Sequence, residues 1–291
     1  MSSGRDPGRD PVAISVIVPV RDGLPWLEDQ LAALAAQRTD VPWEVVVVDN
    51  GSTDGSTAVL ERWADRHAGF TRLDGAGLPG AAAARNAGAR VARGDALAFC
   101  DADDVVGTDW LAGCREALER ADVVAGLFDL TSLNGQPASE PVAASMLQLP
   151  HLPAGLSANL AVRRSAFLDV GGFAEDLATG EDVDLCWRLQ EAGYRFALAT
   201  GAVVAKRDRT GFREVFAQTA AYGRGAPVLY RRHRAAGARR NLSGAARSWL
   251  WLVVHLPDLM GPGPARTAWA RGAGLRTGRL VGSVRERVFY P

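Results

Sequence analysis

Two continuous apolar runs near the beginning of the chain predict strands that are buried on both faces. Ala13–Val20 (AISVIVPV) and Glu44–Val48 (EVVVV) are almost wholly apolar and rich in β-branched residues. Continuous runs of this kind are typical of parallel sheets that helices cover on both sides. Between them, leucine recurs at helical spacing over Leu24–Gln37, which predicts a connecting helix.

The alternation of strand and helix patterns continues to about residue 205. Further strands are predicted at Phe70–Leu73, Asp95–Cys100, Asp122–Leu130, Ser157–Arg163, Tyr194–Ala199 and Ala202–Ala205. Further helices are predicted after Asp54 and at Ala81–Ala92, Trp110–Arg120 and Asp182–Ala192, and a loop at Asn134–Leu152. Strands that alternate with helices form βαβ units with right-handed crossovers. We therefore predict an α/β domain over residues 12–205, in which helices flank a mostly parallel, twisted sheet, preceded by a flexible segment, 1–11.

The formal net charge of zero hides a strong asymmetry. Residues 1–205 hold 16 arginines and 29 acidic residues, a net charge of −13, whereas residues 206–291 hold 17 basic and 4 acidic residues, a net charge of +13. We predict that 206–291 is an Arg-rich helical extension with an anionic partner: a membrane surface, nucleic acid or the acidic body of the same protein. No nucleic-acid-binding module is recognisable, so we expect no nucleic acid partner.

One apolar segment interrupts the basic extension. Trp249–Met260 (WLWLVVHLPDLM) is 12 residues long and contains His255, Pro257 and Asp258, so it is too short to span a bilayer. Its tryptophans and the arginines around it suit a segment that lies in a membrane interface. The alternative is a helix that packs on the α/β domain or on a second subunit.

The remaining composition favours a cytoplasmic protein. Cys100, Cys114 and Cys186 are odd in number and widely spaced, so they indicate neither a disulfide framework nor a zinc ribbon. The polar stretch Met1–Pro11 lacks the apolar core of a secretory signal. We therefore expect a cytoplasmic location, with peripheral attachment to the inner face of the cell membrane if the extension binds lipid.

Acidic residues follow two of the predicted strands. Asp49 begins the turn after the second strand, and Asp101-Ala102-Asp103-Asp104 follows Asp95–Cys100. The carboxyl ends of strands in an open α/β sheet form the ligand-binding edge. Carboxylates one residue apart on a turn can share a hard divalent ion, Mg²⁺ or Mn²⁺. The alternatives are a helix N-cap cluster ahead of Trp110 and a simple turn capped by Asp54.

Two further motifs have a structural and a functional interpretation. Glu181 and Asp182 open a predicted helix, where carboxylates are favoured by the helix dipole, but a general base separated from a metal site would also lie on such a segment. Gly75–Gly80 matches the G-x-G-x-x-G pattern of dinucleotide-binding folds. Because the preceding strand is short, partly polar and third in order, we interpret Gly75–Gly80 as a glycine loop near a ligand.

Four motifs in order along residues 13–205 resemble family 2 glycosyltransferases with the GT-A fold. They are ISVIVPVRDG, VVVVDNGSTDGS, AAARNAGARVARGDALAFCDADD and DVGGFAEDLATGEDVDLCWRLQEAGYRFA. The resemblance implies an inverting transfer of a sugar from a UDP-, GDP- or dTDP-sugar to a hydroxyl acceptor. We expect that acceptor to be a glycan or a lipid-linked molecule of the cell envelope. A catalytically silent member that binds nucleotide sugars or partners is the alternative.

The resemblance also implies roles for individual residues. On the donor side, the resemblance implies that Pro19 and the residues after it line the nucleotide pocket and that Asp49 contacts the base. It also implies that Asp101 lies by the ribose or the water shell of the metal and that Asp103 binds Mg²⁺ or Mn²⁺. Asp182, of the pair Glu181-Asp182, is the general base that deprotonates the acceptor. Arg85 and Asn86 help to hold the nucleotide, or Asn86 fixes its loop.

The sequence departs from the family pattern at one position. Where many members have a histidine that approaches the metal after the last strand, this chain has Lys206. A protonated lysine cannot be a metal ligand. Three consequences remain open: the metal relies on Asp103, donor phosphates and water; Lys206 neutralises diphosphate charge; or activity is weakened or lost.

Overall fold

The computed structural model describes residues 13–143 and 151–291, so the predicted flexible segment 1–11 lies outside the described residues. Within these ranges, nine strands form one sheet: β1 Ile14–Val20, β2 Trp43–Asp49, β3 Phe70–Asp74, β4 Ala96–Cys100, β5 Val105–Val106, β6 Val123–Asp129, β7 Val142–Ala143, β8 Asn159–Arg163 and β9 Phe196–Ala205. The helices are α1 Leu27–Ala35, α2 Ser56–Arg66, α3 Gly80–Val91, α4 Trp110–Leu118, α5 Arg164–Asp169, α6 Glu181–Glu191, α7 Phe212–His233, α8 Leu242–Val254 and α9 Gly263–Arg285.

The sheet confirms the predicted α/β class. Its order is β3-β2-β1-β4-β8-β6-β9-β5, with β7 beside β6. The first four strands in this order are parallel, as the strand–helix alternation predicts. Beyond β4 the pairing is mixed, because β8 runs antiparallel to both β4 and β6 and only β6 and β9 are parallel. The observed sheet departs from the predicted parallel pairing where the strand–helix alternation in the sequence ends, at the loop after β6.

The two apolar runs that open the chain lie where their sequence predicts. In β1, every residue but Pro19 is buried, and in β2 every residue after Trp43 is buried. Helix α1 begins at Leu27, three residues later than predicted, because the residue before a proline is disfavoured in the helical region and Leu24 precedes Pro25.

The last strand of the sheet corrects one prediction. Tyr194–Ala199 and Ala202–Ala205, predicted as two strands, are parts of the single strand β9. The register against β6 jumps between Gly126, which pairs with Ala199, and Leu127, which pairs with Val203, so β9 bulges at that point. The sequence pattern is therefore interrupted at the bulge, and we predicted two strands where the structure has one.

The extension is helical, and α7 packs directly on the α/β domain. Thr179 Oγ1 donates to the carbonyl of Ala221 at 3.0 Å. Helices α7 and α9 approach closely at glycines: a Cβ added to Gly278 would lie 2.1 Å from the carbonyl oxygen of Ala220. Small residues therefore allow α9 to lie against α7, and α7 lies against the segment that leads into α6.

Candidate active site

The loops after β1 and β2 are joined by hydrogen bonds into one rigid turn system. The backbone N–H of Thr53 donates to Asp22 Oδ1 at 2.7 Å, and the N–H of Gly23 donates to Ser56 Oγ at 2.9 Å. Asp54 accepts from the N–H of Leu24 at 2.8 Å and from the N–H of Ser56 at 2.9 Å. Asp54 thus does help to begin α2, as its structural interpretation predicts, although Gly55 occupies the N-cap position.

Asp49 ends β2 as a buried carboxylate, 2% exposed, at the same sheet edge as the Asp101–Asp104 turn. It accepts from Thr57 Oγ1 at 2.7 Å, from the N–H of Ser52 at 3.0 Å and from the Arg72 guanidinium at 3.3 Å. Burial opposes its ionisation, but these hydrogen bonds outweigh burial and hold the pKa of Asp49 below its usual value. Asp49 is therefore a fixed, ionised acceptor.

The acidic turn after β4 brings three carboxylates together. Asp101, Asp103 and Asp104 each offer an oxygen, and these oxygens lie within 4.8 Å of one another. Asp103 is exposed and the Asp101 side chain is 30% exposed, whereas Asp104 is buried. Two exposed carboxylates in this spacing fit an oxygen-preferring ion such as Mg²⁺ or Mn²⁺.

Lys206 lies beside this turn and holds its buried member. β9 pairs with β5, directly after the turn, and so delivers Lys206 Nζ to 2.9 Å from Asp104 Oδ2. Burial raises the pKa of Asp104 to about 6, and Lys206 limits the rise. Although burial disfavours the charged amine, Asp104 and Asp101 raise the pKa of Lys206 above its usual value. The position therefore carries a fixed positive charge beside the carboxylates.

We expect Lys206→Met to destabilise the fold by about 2 kcal/mol, because it leaves a buried carboxylate without its partner. Urea unfolding measures the change. The matched variant Asp104→Asn/Lys206→Met should recover more than half of the loss. A Lys206→Met protein as stable as the wild type would contradict the assignment of Lys206 to this ion pair.

Arg85 connects the acidic turn with the beginning of α6. Its side chain is 5% exposed and donates to Asp101 Oδ1 at 2.7 Å and to Glu181 Oε1 at 3.1 Å. Burial alone would lower the pKa of Arg85, but the two carboxylates raise it. The predicted donor-side arginine thus bridges the two acidic motifs, which lie 80 residues apart along the chain (181 − 101).

Asn86 has its hydrogen-bonding groups engaged by the loop before α6. Asn86 Nδ2 donates to the carbonyl of Phe173 at 2.9 Å and to Glu175 Oε1 at 2.8 Å, and Asn86 Oδ1 accepts from the N–H of Phe173 at 2.9 Å. Gly172 adopts φ of 72°, and a Cβ there would lie 2.7 Å from Asn86 Oδ1. These contacts favour the loop-fixing alternative for Asn86.

Glu181 and Asp182 form the first turn of α6, directly after Gly180. Asp182 is buried and accepts from the N–H of Val183 at 2.8 Å and from the N–H of Ser157 at 3.2 Å. Burial raises the pKa of Asp182 and, together with the Asp182 charge, raises the pKa of Glu181 to about 7. A buried carboxylate whose pKa is raised is a stronger base and is suited to proton transfer.

The surroundings of these groups include residues that the motifs did not identify. A cavity of about 240 Å³ lies beside Glu181, between Pro79–Ala82 and Glu175–Ala178. Tyr222 of α7 is half-exposed, and partial burial together with Asp101 and Asp182 raises its pKa. Tyr222 falls in the Arg-rich extension, where the sequence pattern shows only basic charge. Pro19 is half-buried at the end of β1.

The glycine loop Gly75–Gly80 follows β3, which is at one end of the sheet. With its amide nitrogen turned toward this loop, Asn50 donates to the carbonyls of Gly75 at 2.9 Å and Leu78 at 3.1 Å. The loop therefore lies beside the turn after β2, which agrees with its interpretation as a glycine loop and not as a dinucleotide fingerprint.

Comparison with protein families gives two matches. The family model "Glycosyl transferase family 2" matches residues 15–156, and the model "Glycosyl transferase family group 2" matches residues 97–270. The two matches overlap across the acidic turn after β4 and together include the segment that contains Glu181 and Asp182.

Similar sequences occur in bacteria and archaea. The pre-mycofactocin glycosyltransferase of Mycobacterium tuberculosis is 33% identical over an alignment that covers 83% of this chain and 53% of that protein. Glycosyltransferase AglE of Haloferax volcanii is 30% identical, with 64% of each chain covered. Succinoglycan biosynthesis protein ExoA of Rhizobium meliloti is 26% identical, with 78% of this chain and 73% of ExoA covered. The chain spans about half the length of the first of these relatives.

Solved structures confirm the predicted GT-A fold. A mannosyltransferase from Pyrobaculum calidifontis, in complex with GDP-Man and Mn²⁺, superposes with a TM-score of 0.65 at 21% identity and covers 94% of this chain and 87% of its own. Staphylococcus aureus TarS 1-349, in complex with UDP-GlcNAc, superposes with a TM-score of 0.56 at 18% identity and covers 96% of this chain and 93% of its own.

Proposed function

The chain belongs to glycosyltransferase family 2, and on this premise we propose that it transfers a sugar from a nucleoside-diphosphate donor to a hydroxyl acceptor with inversion. The observation that carries the proposal is the bridge made by Arg85. It joins Asp101, on the donor side, to Glu181, on the acceptor side, through contacts of 2.7 and 3.1 Å. The bridge holds the acidic turn, which we assign to the donor, and the first turn of α6, which carries the proposed base, in one arrangement, and direct displacement requires such positioning.

On the donor side, the nucleotide lies along the edge formed by Pro19, Asp49 and Asp101. The ionised Asp49 accepts hydrogen bonds from the base, and Asp101 lies toward the ribose. Asp103, with Asp101, holds Mg²⁺ or Mn²⁺ at the diphosphate, where the ion stabilises the charge of the leaving group. The mannosyltransferase with Mn²⁺ supports this ion choice. Lys206 adds a positive charge beside the same turn and leaves the metal ligation to Asp103, phosphate and water.

On the acceptor side, Asp182 takes the proton of the attacking hydroxyl. Its two hydrogen bonds from backbone N–H groups fix the carboxylate, and burial raises its pKa, which makes it a stronger base. Glu181, held by Arg85, keeps a second carboxyl group beside Asp182. One base is enough for a single displacement.

The acceptor is a glycan or a lipid-linked molecule in cell-envelope synthesis. The support comes from a relative, since ExoA is a succinoglycan biosynthesis protein. The cavity beside Glu181 opens between the alanine-rich start of α3 and the loop before α6, which gives an extended acceptor access to the base. We assign no nucleic acid partner.

Donor binding tests the proposal directly. We expect one or more of the UDP-, GDP- and dTDP-sugars to raise the melting temperature of the protein in the presence of Mn²⁺, because a ligand that binds only the folded state stabilises it. The same sugars with a chelator should give a smaller shift. No shift with any nucleotide sugar, with or without metal, would contradict the proposal.

A catalytically silent, nucleotide-sugar-binding protein is the second candidate. The observation that favours it is the ion pair of Lys206 with Asp104, which puts an amine where many family members have a metal-binding histidine. Two observations oppose this candidate: the half-buried Asp101 and the exposed Asp103 lie near each other, and the Glu181-Asp182 pair is intact.

We also propose that the extension attaches the protein peripherally to the cytoplasmic face of the membrane. None of the helices in the described part of the chain is long and apolar enough to cross a bilayer. The end of α8 and the turn after it nevertheless expose apolar side chains to solvent, with exposed fractions of 63% at Leu250, 69% at Val253 and 95% at Met260. Arg247 and Arg266 are exposed on α8 and α9. This combination suits the interface of an anionic leaflet.

We expect the protein to co-sediment with anionic liposomes at low salt and to be released as salt rises, because the arginine contribution is screened. The triple variant Leu250→Ser/Val253→Ser/Val254→Ser should remain in the supernatant. Leu168→Ser/Leu198→Ser, which removes exposed leucines from the α/β domain, is the matched control and should bind as the wild type does. Equal sedimentation of the triple variant and the wild type would contradict the assignment.

A further inference from the structure

Three metal-ligating side chains meet on the side of α6 away from the proposed base. His151 Nε2 lies 3.0 Å from Glu191 Oε1, and His233 Nδ1 lies 2.8 Å from the same oxygen. All three atoms lie within 4.8 Å of one another. His151 lies ahead of β8, Glu191 ends α6 and His233 ends α7, so the cluster joins three segments that are distant in sequence.

Two of the three separations between the ligand atoms are close to those in a tetrahedral metal site. Zn²⁺ binds nitrogen and oxygen at about 2.0–2.2 Å, so two ligands of a tetrahedral site are about 3.3 Å apart. The distances of 2.8 and 3.0 Å from Glu191 Oε1 differ from this separation by a few tenths of an ångström. Small side-chain movements would therefore admit an ion between the three groups.

A second layer of contacts orients His233 for ligation through Nδ1. Its other ring nitrogen, Nε2, lies 3.1 Å from Asp184 Oδ1. Asp184 is 1% exposed and accepts from Arg188 Nε at 2.7 Å, so the carboxylate is itself fixed. A carboxylate that accepts from the outer nitrogen of a metal-binding histidine is the usual outer partner in zinc sites.

The side chain of Trp187 packs against both histidine rings. The indole of Trp187 lies edge-on to His151, with ring centroids 4.8 Å apart, and edge-on to His233, with centroids 5.1 Å apart. Trp187 Nε1 also donates to the carbonyl of Leu152 at 2.7 Å, next to His151. The side chains of His151 and His233 are 7% and 4% exposed, and that of Glu191 is 25% exposed, so water reaches the cluster from the glutamate.

We propose that His151, Glu191 and His233 bind one divalent transition-metal ion, Zn²⁺ by the chemistry of the ligands, with water as the fourth ligand. The site differs from the acidic turn at Asp101–Asp103, whose all-oxygen groups suit Mg²⁺ or Mn²⁺. A bound ion would fasten α7 to α6, and the first turn of α6 carries Glu181 and Asp182.

Cobalt titration of the full chain tests the site independently of sugar transfer. Metal-free protein in excess Mg²⁺, which occupies the acidic turn, is titrated with Co²⁺. We expect the visible absorption of four-coordinate Co²⁺ to saturate at one equivalent and to disappear when Zn²⁺ is added. A wild-type protein without this absorption would overturn the proposal.

Variants then identify the ligands. Glu191→Gln and His233→Gln should lose the absorption while circular dichroism shows a folded protein, and Asp184→Asn should weaken Co²⁺ binding by about 10–100-fold because it removes only the outer partner. His67→Gln, which changes a histidine stacked on Trp63 in α2, is the matched control and should bind normally. The Co²⁺ absorption of the wild-type protein alone tests whether a metal binds, so this test does not depend on whether every variant folds. Unchanged absorption in folded His233→Gln would overturn the assignment.

Discussion

Asp182→Asn is expected to lower the rate of sugar transfer by about 10²–10⁴-fold, the usual contribution of a general base. The N–H of Val183 donates to Asp182 Oδ1 and the N–H of Ser157 donates to Asp182 Oδ2, so the amide keeps the shape and one of these two hydrogen bonds, but it cannot take a proton. Donor affinity in the presence of Mn²⁺ should remain nearly unchanged, because Asp182 lies on α6 and not on the acidic turn. Steady-state kinetics and calorimetric titration measure the two quantities.

Glu181→Gln is the matched control for this assignment. It removes the neighbouring carboxylate but leaves the base, so transfer should fall less than with Asp182→Asn. Wild-type transfer rates with Asp182→Asn would show that another group is the base.

The pH profile should show the same carboxylates. Burial raises the pKa of Asp182. Burial and the Asp182 charge raise the pKa of Glu181 to about 7, so the pair still holds a proton at mildly acidic pH. A protonated base cannot accept the acceptor proton, so kcat in the wild type should fall as pH decreases below neutral. In Glu181→Gln the fall should move to lower pH, because a neighbouring negative charge is gone. A wild-type kcat that is constant from pH 8 to about pH 5 would contradict the assignment.

Asp103→Asn is expected to remove most of the effect of Mn²⁺ on donor binding and to lower transfer by about 100-fold or more, because the leaving diphosphate loses its stabilising ion. In the variant, donor affinity with Mn²⁺ should fall to the value measured with a chelator. Calorimetric titration of the donor with and without Mn²⁺ gives both values.

Asp65→Asn, which changes an exposed carboxylate of α2, is the control for the loss of one negative charge. It should respond to Mn²⁺ as the wild type does. If Asp103→Asn kept the full Mn²⁺ dependence of the wild type, the ion would have to be held by other groups.

The first half of the fold was predictable because its signals are local. The β-branched runs in β1 and β2 determine buried parallel strands, and the carboxylates at the ends of β2 and β4 follow from the sheet order. The pairing of β8 was not predictable, since a short apolar run such as Asn159–Arg163 contains no information about the direction in which it pairs.

The candidate site was predictable as motifs but not as contacts. Arg85 and Asn86 are neighbours in sequence, yet Arg85 bridges two carboxylates whereas Asn86 fixes a loop, and their sequence positions do not distinguish these roles. The ion pair of Lys206 with Asp104 joins residues 102 positions apart and depends on the pairing of β5 with β9. The place of Tyr222 depends on how α7 packs against α9 and against the segment before α6, and the sequence of α7 does not specify these partners.

The most direct test of glycosyl transfer is nucleotide release by the purified full chain. UDP-, GDP- and dTDP-sugars are incubated one at a time with Mn²⁺, with and without candidate envelope glycans or lipid-linked acceptors, and the nucleoside diphosphate is quantified. We expect that one nucleotide class is released, that Mn²⁺ is required, and that Asp182→Asn lowers the rate of release by about 10²–10⁴-fold. Binding of a nucleotide sugar without release on any acceptor would contradict this expectation and would favour the silent nucleotide-sugar-binding protein.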